Sequence, residues 1–330
     1  MYAPMNTKRL IISLVVSGLI SIIIFFISND FGIVWDEPIY FRNADEYISW
    51  FKKPELRGIE KSFNPTVTDA HPPFRKLTAG FTHELFTKYV PILDNTRAYR
   101  ISYLIFVIPF ITVFTYVAIG QLGYTVGLLV PFMYSLLPHI LFMTPLVTMD
   151  YAIAGMWFIT IIAAMKAMKY YRWLFISGVS LGVTMLMKLH GFLLFLPVGM
   201  YWVCSKKHKD FLLRVFIFLL VILIVYIAGW PWLWFHTLER LGIYFQIQLD
   251  HSNIPVYVLG KIYTQAPWWY IPIMFFTTTP IFVLVPLVFG VFQTIKQRNI
   301  FMCIMALNAL YPMVFFSLPW YTGMMEYGYF

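Results

Sequence analysis

Acidic, basic and histidine side chains gather where long apolar runs of this chain begin or end. Asp36 and Glu37 are adjacent in WDEPIYF, just after the first apolar run. The other candidates are Asp69 and His71 in TDAHPPFRK, and residues that border later apolar runs or lie in a later loop: Arg100, Asp150, Lys188, Asp250 and His251. A carboxylate can take a proton from an acceptor hydroxyl, and Arg or Lys can hold a phosphate as it leaves. These residue types suit a site that handles a lipid-linked phosphate at one membrane face.

Each of these side chains also has a purely structural interpretation. Asp36 and Asp69 could cap the helices that follow them, which is worth about 1 kcal/mol, although a cap does not require the adjacent Glu37. Arg100 and Lys188 could be interface anchors whose long side chains reach toward lipid headgroups. The sequence alone leaves both interpretations open.

Metal and cofactor patterns are weak. The pair Asp250–His251 in QLDHSNIP is compatible with metal binding or catalysis, but the chain has neither a CxxC pair nor Cys/His zinc spacing. Four other histidines have no acidic neighbour at a suggestive spacing and are interpreted as structural: His83, His139, His208 and His236. The sequence therefore predicts no metal ligands and no certain cofactor, and leaves a divalent metal open.

The composition is that of an integral membrane protein. The chain is 60% hydrophobic and 12% charged, with a mean hydropathy of +0.73, against about 45–50% apolar and about 25% charged residues in soluble domains. The net charge of +9 would suggest nucleic acid in a soluble protein. Here the basic residues lie in short loops between apolar runs, so membrane topology explains them and no nucleic-acid partner is predicted.

About nine apolar runs are long enough to span a bilayer. They cover residues 9–28, 100–120, 124–142, 148–165, 172–187, 190–205, 211–231, 269–292 and 300–319. The first run is too long for a signal-peptide core and has no small-residue cleavage site before Asp30, so we interpret it as an uncleaved anchor. The fold class predicted is an all-α, multi-span helical bundle.

The basic residues predict the orientation of these spans. The short connections on one side carry eleven Lys and Arg residues: Lys8, Arg9, Lys166, Lys169, Arg172, Lys206, Lys207, Lys209, Arg214, Lys296 and Arg298. The short connections on the other side carry only Lys188. By the positive-inside rule, the N-terminus is cytoplasmic, and the candidate residues face the periplasm, the cell exterior or a lumen.

Two long segments, 29–99 and 232–268, then lie outside as loops of a single membrane domain over residues 1–330. The first contains two rows of apolar residues at helical spacing: Tyr40, Ala44, Ile48 and Phe51, then Phe74, Leu77, Phe81 and Leu85. This periodicity predicts two amphipathic helices on the membrane surface. The chain ends just past the last run, so we interpret it as a short family member or a fragment.

The acidic motifs resemble those of a known family. WDEPIYF and the later TDAHPPFRKL are similar to protein O-mannosyltransferases, which carry an Asp-Glu pair after the first span and an Asp-x-His-Pro-Pro-Leu-Gly-Lys stretch before the second surface helix. Other stretches resemble this family and its relative, the aminoarabinose transferase of lipid A: RISYLIFVIPF, LVTMDYAIAGMWF, YRWLFISGVSLGVTMLMKLHGFLLFLP and APWWYIPIMFFTTTP. The resemblance covers residues 10–290, approximately.

The resemblance implies a C-type glycosyltransferase fold, whose first outside loop holds an acidic active-site residue. It also implies a polyprenyl-phosphate-linked sugar donor and an inverting reaction onto a protein, lipid or cell-envelope glycan acceptor. By the matching positions, Asp36 would be the general base or its close partner, with Glu37 beside it. Asp150 would be a second acid that orients substrate.

The remaining site residues are implied in the same way. Asp69 and His71 would line the site, Arg100 and Lys188 would face the donor phosphate, and His251 is a further candidate for substrate binding. The chain departs from the family at Phe74-Arg75, which stand where Leu-Gly is usual. It also has no room for the soluble insert of eukaryotic members, and it has Ala70-His71-Pro72 where the aminoarabinose transferase has Glu-Lys-Pro.

Two other functional classes make different predictions. A lipid or anion transporter would carry ionisable residues near span centres and paired broken helices, whereas here they lie at span ends and no two halves look alike. A non-catalytic membrane scaffold would tolerate replacement of Asp36 and Asp69 at no cost beyond stability. We therefore expect a membrane glycosyltransferase.

Overall fold

The structure is a computed structural model that describes residues 6–205, 210–249, 255–264, 266–297 and 299–318. The chain divides into two compact units, the first formed by Met1–Phe192 and Lys207–Arg240 and the second by Leu193–Lys206 and Leu241–Phe330. Each unit is described by itself below. The prediction of one domain over the whole chain stays a prediction.

The described secondary structure is almost entirely helical. The α-helices are α1 (Thr7–Ile27), α2 (Glu37–Lys52), α3 (Gly58–Phe63), α4 (Phe74–Glu84), α5 (Asn95–Arg100), α6 (Leu104–Ser135), α7 (Pro138–Met143), α8 (Asp150–Ala167), α9 (Arg172–Met185), α10 (Phe195–Cys204), α11 (Phe211–Ala228), α12 (Thr237–Leu249), α13 (Tyr270–Thr278), α14 (Ile281–Gln297) and α15 (Ile300–Phe316). Short 3₁₀ segments cover Ser28–Asp30, Ile101–Tyr103, Leu189–Leu194 and Pro231–Trp234, and one π-helical turn covers Leu85–Tyr89. Two short strands are β1 (Val256–Val258) and β2 (Lys261–Tyr263).

Several helices are long and apolar enough to cross a bilayer, as an integral membrane protein requires. In the described part of the chain four segments meet this test: Thr7–Asp30, Asn95–Ser135, Asp150–Ala167 and Phe211–Ala228. A fifth would be the pair Tyr270–Thr278 and Ile281–Gln297, which is bent by 116°. The prediction of about nine spans is thus not confirmed.

Helix α6 reverses direction at Gly123, where the backbone is not helical (φ 81°, ψ 173°). A positive φ of this kind favours glycine, because glycine has no Cβ. The rings of Phe110 and Tyr134 lie 5.6 Å apart, whereas in a straight helix these residues would be about 36 Å apart. The segment is therefore two arms folded against each other. The reversal falls within the break between apolar runs predicted at residues 121–124.

The first unit is built around α1, α6 and α8. Buried apolar residues of the three helices form one cluster: Val16, Ile20, Ile24, Tyr103, Val107, Phe110, Ile111 and Tyr151. Helix α9 packs between α8 and α11. On α9, a Cβ at Gly178 or Gly182 would lie 2.8 Å from Val221 or Val225 of α11. This Gly-x-x-x-Gly spacing lets two helices approach closely, as it does in membrane helix pairs.

The loop between α1 and α6 folds into a layer in which α2 packs on α4. A Cβ at Gly80 of α4 would lie 2.7 Å from the carbonyl oxygen of Ala44 in α2. Tyr40, Ala44 and Ile48 are buried, so most of the predicted apolar row of α2 packs inside the protein. On α4, Phe81 remains 53% exposed. The two predicted helices exist, and their placement on a membrane surface stays a prediction.

The second unit contains a small β-hairpin. Strands β1 and β2 pair antiparallel, with Val256 opposite Tyr263. Leu259 and Gly260 connect them with φ values of 50° and 77°, the geometry that two-residue hairpin turns require. A buried cluster joins the hairpin to nearby helices of the same unit: Val256, Val258, Ala266, Tyr270, Ile271 and Phe316.

Candidate active site

Glu37 forms a buried ion pair with Arg100, 63 residues away. The Glu37 side chain is fully buried, and Arg100 donates to its two carboxylate oxygens at 2.9 Å and 2.5 Å. The backbone N–H groups of Val34 and Val147 also donate to this carboxylate, at 3.3 Å and 3.1 Å. Arg100 further donates to the carbonyl oxygens of residues 31 and 32 at 2.9 Å and 2.7 Å. This geometry favours a positioning role for both residues, because their hydrogen-bonding groups are occupied within the protein.

Asp36 differs from its neighbour, because it is exposed. It immediately precedes α2, but its side chain makes no capping hydrogen bond to that helix. The structural interpretation of Asp36 as a helix cap is therefore not supported. Its backbone carbonyl accepts from the N–H of Tyr40 at 3.2 Å, which holds Asp36 to the first turn of α2.

Asp69 is paired with Lys76, and both side chains are almost fully buried. The Lys76 ammonium also donates to the carbonyl oxygen of His71 at 3.0 Å, and it lies 5.9 Å from the ring centre of Tyr40 and 5.6 Å from that of Tyr47. Among the described residues, no donor bonds the second Asp69 oxygen, Oδ2, although that atom is buried. The pair thus lies against Tyr40 and Tyr47 of α2, and one Asp69 oxygen has no donor among the described residues.

Backbone strain occurs within the same motif. Ala70, between Asp69 and His71, has a φ of 61°, a conformation that costs a residue with a Cβ roughly 1–2 kcal/mol. His71 itself is buried, with 4% of its surface exposed. Strained residues of this kind often occur at functional sites, where the surrounding structure holds them.

Burial and charge set the protonation of this region. Burial lowers the pKa of the Lys76 ammonium below its usual value, and the adjacent Asp69 carboxylate opposes that shift. Burial raises the pKa of Tyr47 well above its usual value, and the nearby Asp69 charge raises it further. The Tyr47 phenol is therefore neutral at physiological pH.

Arg75, a departure from the family pattern, ties α4 to the connection before α8. Its guanidinium donates to the carbonyl oxygens of Thr148 at 3.2 Å and Leu146 at 2.8 Å, and to the Ser102 hydroxyl at 2.5 Å. Burial lowers the pKa of Arg75 to about 9, and the Glu37 carboxylate opposes that shift. The guanidinium stays charged at neutral pH and fixes the backbone just ahead of Asp150.

Asp150 begins α8 and lies 3.5 Å from the ammonium of Lys188. The Asp150 side chain is 20% exposed and that of Lys188 is 6% exposed. The start of α4 is joined to the same place, because the N–H of Phe74 donates to the carbonyl oxygen of Leu186 at 3.2 Å. The ring of Phe74 also packs against a buried cluster that contains Met187 and Ala152.

The structure places several predicted residues in ion pairs or beside a shared donor. Glu37 pairs with Arg100, and Asp150 pairs with Lys188. Asp69 and His71 share Lys76 as a donor. His251 and Asp250 lie outside the described residues. No group of three or more His, Cys, Asp or Glu side chains in the described ranges is arranged to hold a metal ion.

The sequence alone did not predict the partners of these residues. It also gave no sign of a contact between His83 and Asp45. His83, interpreted as structural because no acidic residue lies at a suggestive spacing from it in the sequence, lies 3.3 Å from Asp45. Its ring stacks on Tyr99 at 3.8 Å, and the Tyr99 hydroxyl donates to Asp45 at 2.7 Å. Asp45 and His83 lie on different helices, so no local spacing in the sequence indicated this contact.

Comparison with known proteins gives one match. A sequence model of a protein family, described as dolichyl-phosphate-mannose-protein mannosyltransferase, matches residues 70–235, which is half of the chain. The matched region begins at Ala70 and includes Arg75, Arg100, Asp150 and Lys188, whereas Asp36, Glu37 and Asp69 precede it. Searches of curated proteins and of solved structures found no match.

Proposed function

The chain belongs to the dolichyl-phosphate-mannose-protein mannosyltransferase family, and we propose that it moves a sugar from a polyprenyl-phosphate donor to an acceptor hydroxyl at the membrane face that holds Asp36. That it is a membrane glycosyltransferase follows from the family and from its long apolar helices. The donor, the acceptor and the residue roles below are our proposal.

The contrast between the adjacent residues Asp36 and Glu37 carries the proposal. Glu37 is buried and its carboxylate accepts four hydrogen bonds, so it anchors the start of α2. Asp36 is exposed at that same helix start, and its side chain makes no capping hydrogen bond to α2. A general base must be fixed in place and still be accessible to the proton it removes. Glu37 fixes the start of α2, and the adjacent Asp36 remains accessible, so the two carboxylates together meet both requirements.

The reaction we propose is an inverting displacement. The Asp36 carboxylate takes the proton of the acceptor hydroxyl while the oxygen of that hydroxyl bonds to the anomeric carbon. The bond from that carbon to the phosphate oxygen breaks, and the polyprenyl phosphate leaves with the electron pair. Because attack and departure occur on opposite faces of the sugar, the anomeric configuration inverts.

Lys188 is our candidate for stabilising the leaving phosphate. Charged donors at the position where charge develops lower the barrier most effectively. Arg100 was also predicted to face the phosphate, but it already bonds Glu37 and two carbonyl oxygens. We therefore assign the phosphate to Lys188, with Asp150 orienting the ammonium from 3.5 Å.

Asp69 is our candidate for binding a hydroxyl of the sugar or the acceptor. Its Oδ2 atom is buried without a donor among the described residues, and a buried acceptor without a partner costs about 1–3 kcal/mol. A substrate hydroxyl would supply the missing hydrogen bond. His71 lies next to this position, held by the Lys76 bond to its carbonyl oxygen.

The excess of basic residues in the short connections on one side supports a cytoplasmic N-terminus. Asp36 follows the C-terminal end of α1 and Asp150 begins α8, so we place both at the periplasmic, extracellular or lumenal face. The acceptor there would be a protein, a lipid or a cell-envelope glycan.

The first test measures label transfer in membranes that contain the protein. Radiolabelled polyprenyl-phosphate mannose is supplied with endogenous acceptors, and wild type is compared with Asp36→Asn at equal expression. We expect Asp36→Asn to lower transfer about 10²–10⁴-fold, the usual contribution of a general base. The fraction that carries label identifies the acceptor class.

Asp30→Asn is the matched control, because Asp30 is an exposed aspartate at the end of α1 in the same loop. It should transfer label like wild type. Equal transfer by Asp36→Asn and wild type would remove Asp36 from the mechanism. If wild type transfers no mannose, a panel of other lipid-linked sugars follows, and failure with all of them would contradict the proposed function.

A further inference from the structure

A second cluster of charged residues lies at the ends of the helices opposite the candidate active site. Lys8 and Arg9 are in the first turn of α1, Lys166 is in the last turn of α8, and Arg172 begins α9. Lys166 is about 24 Å along the axis of α8 from Asp150, at 1.5 Å per residue. The cluster is therefore separate from the candidate active site.

Two of these cations converge on one aromatic ring. The Arg9 guanidinium carbon lies 4.0 Å from the ring centre of Tyr116, and the Lys166 ammonium lies 5.9 Å from the same ring centre. Lys166 also lies 4.3 Å from the ring of Trp173. Arg172 is close enough to Lys166 for their charges to repel each other, as is Arg9. The chain thus gathers two positive charges at Tyr116, and a third, that of Arg172, lies close to Lys166.

Within the described ranges, no carboxylate pairs with these cations. Asp210, at the same ends of the helices, is already paired with Arg214 at 3.0 Å and accepts a hydrogen bond from Tyr171. The Nε atom of Arg9 is buried, and no described acceptor bonds it. The positive end of the α1 dipole adds to the field at Arg9. A site with this positive electrostatic field, and with the Arg9 Nε donor unused among the described residues, is suited to binding an anion.

We propose that Arg9, Lys166 and Arg172 bind the phosphate of an anionic membrane phospholipid. Basic pockets between membrane helices bind anionic headgroups, and Tyr and Trp side chains such as Tyr116 and Trp173 are enriched at the membrane interface. The positive-inside rule explains the number of cations on this side. It does not require two of these cations to lie at the same aromatic ring with no described carboxylate paired to them.

The test uses the purified full chain in a neutral detergent. Phosphatidylglycerol is titrated, with phosphatidylcholine as the zwitterionic reference, and bound lipid is counted by native mass spectrometry. We expect phosphatidylglycerol to bind selectively and Lys166→Met to weaken its binding roughly tenfold or more, the usual loss when one charged hydrogen bond is removed. Methionine keeps an apolar side chain against Trp173, so the variant retains that packing.

Lys169→Met is the matched control. Lys169 is exposed, three residues further along, and lies 5.2 Å from the ring centre of Tyr170. It should bind phosphatidylglycerol within about twofold of wild type, because exposed charges are largely screened. If both variants lose binding equally, the effect is general surface charge and the proposal is overturned.

A thermal unfolding measurement distinguishes lost binding from lost folding. Lys166→Met removes repulsion with Arg9 and Arg172, so its Tm in neutral detergent alone should equal or exceed that of wild type, while the rise in Tm on adding phosphatidylglycerol is lost. Inorganic phosphate is the last arm. If free phosphate raises the wild-type Tm as much as the lipid does at equal concentration, the assignment to a lipid is overturned.

Discussion

The loop between α1 and α6 contains two buried carboxylate–cation pairs that differ in one respect. In the Glu37–Arg100 pair, backbone and side-chain donors bond both carboxylate oxygens. In the Asp69–Lys76 pair, Lys76 and the His71 N–H bond Oδ1, while the buried Oδ2 has no described donor. Both carboxylates have at most 4% of the side chain exposed. The difference is therefore one of hydrogen bonding, not of burial.

From this difference we expect one pair to have a structural role and the other a functional one. In a buried pair whose groups are all bonded, removing one partner leaves the other charge unpaired. A buried acceptor without a donor lowers stability and calls for an explanation, such as a ligand that supplies the donor. We therefore expect Glu37–Arg100 to govern folding and Asp69–Lys76 to govern transfer.

The largest effect is expected for Glu37→Gln. It removes the charge that compensates buried Arg100, and breaking one partner of a buried pair costs about 3–5 kcal/mol. The folded yield and the Tm in detergent should fall sharply, and transfer should fall with them. Glu46→Gln, on the same helix and only partly buried, should leave the Tm nearly unchanged. A normal Tm for Glu37→Gln would remove the structural role of this pair.

The double variant Asp69→Asn with Lys76→Met should show the opposite pattern. Replacing a whole buried ion pair by neutral groups of similar volume is often neutral for stability, so the Tm should stay close to that of wild type. Loss of a charged acceptor for a substrate hydroxyl should lower kcat/KM roughly 10- to 100-fold. Unchanged kcat/KM in a folded double variant would contradict the role we give Asp69.

A smaller effect on the Tm is expected from a change in the packing of α2 against α4, on which both pairs depend. Gly80→Ala places a methyl group 2.7 Å from the Ala44 carbonyl oxygen, and such overpacking costs about 1–3 kcal/mol, partly offset by the better helix propensity of alanine. A drop in Tm should follow. Gly18→Ala, in α1, has open space around the new methyl group, so its Tm should be unchanged or higher.

The smallest effect is a pH dependence of stability from Lys76. Burial lowers the pKa of folded Lys76 below the unfolded value of about 10.4. Between these two values the unfolded chain keeps a proton that the folded chain has released, so the free energy of unfolding should rise with pH. The slope is at most about 1.4 kcal/mol per pH unit for one proton. The double variant should lack this slope. If wild type and the double variant show equal slopes in denaturation experiments at alkaline pH, the assignment of the slope to Lys76 is contradicted.

Local sequence features predicted the elements more reliably than the contacts between them. The first long helix, the helices α2 and α4 and the break near 121–124 were predicted from apolar runs and helical periodicity, because these patterns act within a few residues. The number of spans does not follow in the same way. Several runs counted as spans form shorter helices such as Arg172–Met185 and Phe195–Cys204.

The sequence by itself determined that the chain is a membrane protein, and its motifs WDEPIYF and TDAHPPFRKL predicted a glycosyltransferase. Composition and short motifs are local, and the family match to residues 70–235 confirms the family, although it does not cover WDEPIYF. Only the tertiary structure decided which of two adjacent carboxylates is anchored. Glu37 meets Arg100 63 residues away and Val147 110 residues away, and such contacts depend on how helices pack, which no local pattern specifies.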